Sequence, residues 1–305
     1  APSLQMGAAK GGRAMGALDR RHPVAVFVYF AGVMAAAMLT LNPALLLVSI
    51  GGGALLLLIR GAARLSSLLF SLALFAAMTL INPLFNHNGV TVLFVLGDSP
   101  VTLEALLYGA ASAAMVTAVL MWCRSLSGVL GEDKLLYLFA RVSPRIALVV
   151  SMALRGAGLF SAQARRVRRS QKGLGLYKED NIVDTIRSDA RVFSILVTWA
   201  LENGVITADS MAARGYGTAR RTAFSRYRFT RGDAALLAAG LLLTGLSLWG
   251  VLSGALDVSY YPAVRWTAMT PLGWAALIGY GILALWPALL EGGERLKWRF
   301  LRSKI

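Results

Sequence analysis

The chain has 305 residues, 57% of them hydrophobic and only 15% charged, with a mean hydropathy of +0.62. That balance excludes an ordinary soluble domain and points to a polytopic membrane protein. The net charge of +16 then speaks to topology more than to nucleic acid, because basic loops on one side orient a membrane protein.

Residues 1–21 are small, polar and glycine-rich, with no apolar core of their own, so a cytoplasmic lead-in is expected rather than a cleaved signal. Six apolar runs approach the roughly 20 residues needed to cross about 30 Å of hydrocarbon. They are Val24 to Leu39, Ala44 to Ile59, Leu65 to Ile81, Leu103 to Cys123, Ala234 to Leu252 and Leu272 to Leu290. Four therefore fall within 22–123 and two within 233–290. Asn42-Pro43 separates the first two, and Asn82-Pro83 is expected to end the third, since proline removes a donor and disfavours helix before it. The first two are short, as a tight hairpin or shallow, tilted spans would be.

With the N-terminus inside, thirty of the 31 Lys and Arg fall on the inner side; only Arg265 lies outside, and 82–102 carries no cation. Inner loops are where such residues accumulate. Trp249, Trp266 and Trp274 mark the outer boundary, and Trp122, Trp286 and Trp298 the inner one. The expected fold is all-α: about six membrane helices in the cell membrane, both termini cytoplasmic, and a basic cytoplasmic tail over 291–305. Gly250 and Gly254 form a small-xxx-small pair suited to close helix approach.

Between the fourth and fifth runs lies an insert, 124–232, with nineteen cations. Its apolar stretches are too short to span: Ile146 to Leu154 stops at Arg155, and Val192 to Leu201 stops at Glu202. Amphipathic cytoplasmic helices are expected instead. Leu135, Leu138, Phe139 and Val142 fit an i, i+3, i+4, i+7 stripe between Glu132-Asp133 and Pro144. A second stripe runs through Ile146, Val149, Val150, Ala153, Leu154, Ala157, Phe160, Ala164 and Val167, up to Gly173. A third starts near Asn181, a good N-cap with Asp184 behind it, and takes in Ile186, Ala190, Phe193, Val197, Ala200, Gly204, Thr207 and Met211. Arg214 is the next position of that stripe.

Chemistry is sparse. His22 and His87 lack carboxylate or thiol neighbours at ligand spacing, and no HExxH, phosphate-binding loop or nucleophile turn occurs. The single Cys123, beside Trp122, excludes an intramolecular disulfide and is expected to be a packed thiol. The spans contain almost no ionisable group beyond Glu104 at the start of one, which argues against an ion-coupled carrier. The run Arg165, Arg166, Arg168 and Arg169 suits anionic lipid headgroups; without interleaved aromatics it does not suit nucleic acid.

One short pattern occurs twice: Gln171-Lys172-Gly173-Leu174-Gly175 and Ala213-Arg214-Gly215-Tyr216-Gly217. Each ends a helix-patterned segment with a cation, favourable at the negative end of a helix dipole, and a glycine able to stop the helix. With His22-Pro23 before the first span, the Met152-Ala153-Leu154-Arg155 segment and Ala208 to Tyr216, this chain resembles the transmembrane T component of energy-coupling factor (ECF) transporters. The resemblance covers roughly His22 to Arg231.

What the resemblance implies is a non-catalytic scaffold. Its two coupling helices would end in motifs held by two ABC-type ATPase subunits, which themselves bind ATP and Mg, leaving this chain without a cofactor. Gln171, Lys172, Gly173, Ala213, Arg214 and Gly215 would form those ATPase contacts, supported by Arg165, Arg168 and Arg169. A membrane-embedded, substrate-binding S component for a vitamin or metal ion would meet Leu135, Leu138, Phe139, Val150, Leu154, Phe193 and Val197. Lysine at 172 lacks the planar fork of arginine. The alternative is an autonomous channel or permease with a lipid-binding basic region; an intramembrane enzyme is disfavoured by the lack of clustered nucleophiles or bases.

Overall fold

The computed structural model describes residues 16–61, 65–86, 88–96, 99–177, 181–218, 227–266 and 268–302. Most of the lead-in, Arg64 and His87 lie outside them. Among the described residues the helices are α1 (Pro23–Met38), α2 (Pro43–Ile59), α3 (Leu65–Phe85), α4 (Leu103–Val129), α5 (Glu132–Val142), α6 (Pro144–Gly173), α7 (Ile182–Ala213), α8 (Arg231–Leu252) and α9 (Pro271–Arg302). Two short antiparallel hairpins accompany them, β1 (Val92–Leu96) with β2 (Ser99–Thr102), and β3 (Val258–Ser259) with β4 (Arg265–Trp266).

This is an all-α, multi-pass membrane protein. By length and composition α4, α6, α7, α8 and α9 can each cross a membrane, while α1, α2 and the Leu69–Phe85 part of α3 are shorter apolar helices. α6 and α7 meet this criterion of length and composition although their uncharged runs are short, because both helices continue through Arg155 and Glu202.

The chain forms two compact units, Ala1–Leu135 with Tyr227–Ile305, and Leu136–Arg226. In the first, α1, α8, α9, α2 and α4 pack in a closed ring, each on the next, and α3 lies against α4. Pro23 and Pro43 sit in first turns, where a missing N–H costs nothing. The side chains just before them cap: His22 Nδ1 accepts from the Val24 amide at 3.3 Å, and Asn42 Oδ1 from the Ala44 amide at 3.0 Å. Thr230 and Asp233 form a reciprocal capping box at α8, and the buried Asp233 also accepts from the His22 amide at 3.3 Å. The starts of α1 and α8 are thereby tied together.

The centre of the ring is polar at one point. Ser49 of α2, fully buried, accepts from Trp122 Nε1 of α4 at 3.0 Å and from the Tyr280 hydroxyl of α9 at 2.8 Å. The Val33 carbonyl of α1 lies 3.3 Å from the same Tyr280 hydroxyl, and the Tyr29 hydroxyl donates to the Leu283 carbonyl. Close approach makes this geometry possible. A Cβ on Gly52 would lie 2.7 Å from the Ala284 carbonyl oxygen, and one on Gly250 would lie 2.3 Å from Ala276 Cβ. Small residues at crossings and interhelical hydrogen bonds are the usual means of packing helices in lipid.

At one end of the ring Arg60 is the centre of an ionic cluster. It donates to Asp19 at 3.0 Å, to the buried Glu291 at 3.2 Å and to the Gly128 carbonyl at 3.3 Å. Lys134 Nζ reaches the Leu18 carbonyl at 3.5 Å. Burial pulls the pKa of this ammonium below the usual lysine range, with Asp19 opposing and Arg60 assisting the shift. The opposite end gathers Asn42 on the Leu256 carbonyl, Tyr260 on the Leu41 carbonyl and Asn82 on the Ala105 carbonyl. The six helices of this unit thus run alternately between the same two ends.

Several expectations change. Asn82-Pro83 does not end α3, which continues to Phe85 with Pro83 inside it; with the end so near, few backbone hydrogen bonds remain to be lost. Trp122 is fully buried on Ser49 rather than at the boundary, and Cys123 is exposed. Gly254 lies past the end of α8 with φ +72, so only Gly250 meets a neighbouring helix. The basic segment after Leu290 continues α9 as helix to Arg302. Likewise α4 runs past Arg124 to Val129 and stays with the first unit, which places the unit boundary twelve residues later than the charge boundary.

Ser49→Val strands the Trp122 donor and leaves the Tyr280 hydroxyl only the longer contact to the Val33 carbonyl, and is expected to destabilise the detergent-solubilised protein by about 2 kcal/mol, read as a lower Tm. Arg60→Ala leaves Glu291 buried without a counter-charge, and the expected loss is larger, about 3 kcal/mol or more.

Candidate functional site

The second unit is dominated by α6 and α7, which pack antiparallel. Phe160 meets Trp199 edge to face at 5.3 Å between ring centroids, and eight residues later Arg168 meets Asp189, ten residues earlier on α7, at 2.6 Å. The pair is a helical hairpin, and Tyr177, just after α6, lies next to Asp189.

Both helices end in the same way. On α6 the Leu176 amide donates to the Gln171 carbonyl at 3.0 Å and the Gly175 amide to the Lys172 carbonyl at 3.1 Å. On α7 the Tyr216 amide donates to the Met211 carbonyl at 3.0 Å and the Gly215 amide to the Ala212 carbonyl at 2.9 Å. This is the paired pattern of a Schellman cap, which needs a left-handed residue at the position after the C-cap. Gly175 (φ +68) and Gly215 (φ +78) supply it.

The register of the repeat is thereby corrected. Gly173 is the last helical residue of α6, not its stop. The structural counterpart of Ala213-Arg214-Gly215 is Gly173-Leu174-Gly175, and the C-caps Leu174 (φ −86, ψ 1) and Arg214 (φ −83, ψ 7) coincide in conformation. Lys172 lies two residues earlier, inside the helix. The sequence pairing aligned cations; the backbone aligns the left-handed glycines, because only those positions stop the helix.

Lys172 is held against its own hairpin. Its Nζ lies 5.1 Å from the centre of the Tyr177 ring, and the Arg168 guanidinium lies 5.5 Å from the same ring. The Tyr177 hydroxyl donates to Asp189 at 2.8 Å, beside the Arg168 contact, and Arg191 donates to the Leu176 carbonyl at 3.2 Å. Of the supporting cations, Arg165 bonds Ser161 within its own helix at 2.8 Å, Arg168 is engaged by Asp189, and Arg169 is exposed. Ser161, Tyr177 and Asp189 were not marked by sequence; Tyr177 follows the last glycine of the repeat, and only the hairpin brings Asp189 to it.

The stripe expected on α7 faces outward over most of its length, with Ala200 and Met211 half-buried. Ser188 and Val192 are buried and Trp199 half-buried, whereas Ile186, Ala190, Phe193 and Val197 are exposed. The helix turns a set displaced by one or two positions toward α6. Phe193 and Val197 therefore lie on the open surface between the two rungs, while Val150 and Leu154 lie beyond the Phe160–Trp199 rung. The former pair and the latter are thus separate stretches. Phe139 is exposed and Leu138 half-buried; Leu135 is exposed and belongs to the first unit. Asn181, at the start of α7, makes no side-chain cap hydrogen bond.

Asp189→Ala releases Arg168 and Tyr177 together, so the Leu176 and Tyr177 amides are expected to exchange with solvent faster by hydrogen-exchange mass spectrometry. Tyr177→Phe, which keeps the ring beside Lys172, is expected to give a smaller increase.

No protein-family model matches this chain, and no curated protein matches it.

Proposed function

We propose that this chain is the non-catalytic membrane coupling subunit of an ATP-driven importer of the energy-coupling-factor type. It transmits conformational changes of two ABC-type ATPase subunits to a membrane-embedded S component that carries a vitamin or metal ion. The observation that carries the proposal is the pair of helix tips with one cap geometry on a single hairpin. Because α6 and α7 are antiparallel, the tips lie at opposite ends of α7, whose 32 residues measure about 48 Å at 1.5 Å per residue. That spacing suits two separate grooves on two partner subunits.

Charge supports a cytoplasmic position for this unit, since fifteen of the 31 cations lie within Leu136–Arg226, and such residues mark the inner side. The exposed side chains of Phe139, Leu154, Phe193 and Val197 offer apolar surface to an S component. ATP and Mg belong to the ATPases.

Arg214→Ala removes the cation at the second tip. An arginine paired with a desolvated carboxylate costs about 2 kcal/mol or more when truncated, so ATPase recovered with the purified subunit is expected to fall at least about tenfold. Lys172→Ala added to it lowers recovery further. Full ATPase stoichiometry in the double variant overturns the proposal. Solute uptake into vesicles by the chain alone also overturns it and favours an autonomous permease.

A further inference from the structure

We infer that the first tip engages its ATPase through Leu174, so that the two partner grooves differ in chemistry: an apolar groove receives Leu174 and an acidic one receives Arg214. The inference rests on the coupling function proposed above and specifies the partner surface at one of its two contacts.

Three observations converge on it. The C-cap residue of each helix has the same backbone conformation and is followed by the same left-handed glycine, so Leu174 occupies the place that Arg214 occupies at the other tip. Leu174 is 71% exposed, a large apolar side chain at the outermost point of a helix end. Lys172, two positions earlier, leaves the helix about 200° around its axis from residue 174, at about 100° per residue. Its ammonium lies over the Tyr177 ring, drawn back to the hairpin by cation–π attraction.

The chemistry of the grooves follows from these positions. An acidic groove shaped for a C-cap arginine would close on the Leu174 methyls and leave its carboxylate buried and unpaired, which is costly. An apolar groove gains from removing leucine from water, and an acidic residue at its rim can still meet Lys172. The ATPase pair would then be recognised asymmetrically, with each tip rejecting the wrong groove.

The test uses the full-length tagged chain purified from membranes of its source cell, and the probe is the ATPase subunits that accompany it, scored by retention on immobilised ATP. Arg214→Ala and Leu174→Asp are each expected to lower the retained ATPase about tenfold, with Lys172→Ala lowering it about two- to threefold. Leu174→Met, still apolar and of similar size, is expected to stay within about threefold of wild type. An unchanged thermal melt controls for folding, since position 174 faces solvent. Wild-type retention in Leu174→Asp, with Lys172→Ala as damaging as Arg214→Ala, overturns the inference and leaves the coupling function standing. Wild-type retention in all three loss variants, or none for the wild-type chain, overturns both.

Discussion

A hydroxyl with no water to turn to organises the membrane unit. Ser49 takes hydrogen bonds from Trp122 and Tyr280, joining α2 to α4 and α9 at one buried point. In a medium that offers no competing partners, each such donor must be satisfied within the protein. The consequence is geometric: two donors 2.8 and 3.0 Å from one oxygen hold three helices at a fixed separation. That separation is short enough for Gly52 to lie against the Ala284 backbone. Apolar packing alone would not fix it, because lipid tails are as apolar as leucine and association in a bilayer gains little from burial.

The ring needs closing at its ends as well, and there charge takes over from packing. Arg60 joins the segment before α1, the end of α4 and the second half of α9 through Asp19, Gly128 and Glu291. A buried ion pair of this kind adds little net stability against well-packed apolar residues, yet it penalises any arrangement that separates its members. Lys134 at the first turn of α5 bonds Leu18 in the same cluster. The chain therefore leaves the membrane unit from an anchored residue.

The hairpin of α6 and α7 is built differently. Few of its side chains are buried, and its internal ties include the Phe160–Trp199 contact and the convergence of Arg168 and Tyr177 on Asp189. Exposed ion pairs are weak individually, so this element holds its shape largely through helical continuity. Its large exposed apolar side chains, among them Phe193, Leu201 and Val205, leave apolar surface uncovered within this chain. Antiparallel packing converts two neighbouring sequence motifs into two distant tips, the spacing on which the proposed contact with two subunits rests.

Much of this was legible in the residues. Hydrophobic runs and the one-sided distribution of Lys and Arg determined a multi-pass helical protein and the alternation of its helices, because length against bilayer thickness and charge against topology are one-dimensional constraints. The break at Asn42-Pro43 and the end of α5 before Pro144 followed from an equally local rule. What failed were inferences that depend on what lies across a gap. Trp122 looked interfacial until Ser49 was placed opposite it, and Pro83 looked terminal although α3 continues past it. The outward stripe of α7 looked like its packing face because periodicity gives a face but not which neighbour it meets. The repeated helix end shows the division most clearly. The sequence alone determined that two segments end near a cation and two glycines. Only the folded backbone decided that Gly175 and Gly215 are the equivalent positions, with Leu174 opposite Arg214, because left-handed φ and the two cap hydrogen bonds are properties of a turn in space.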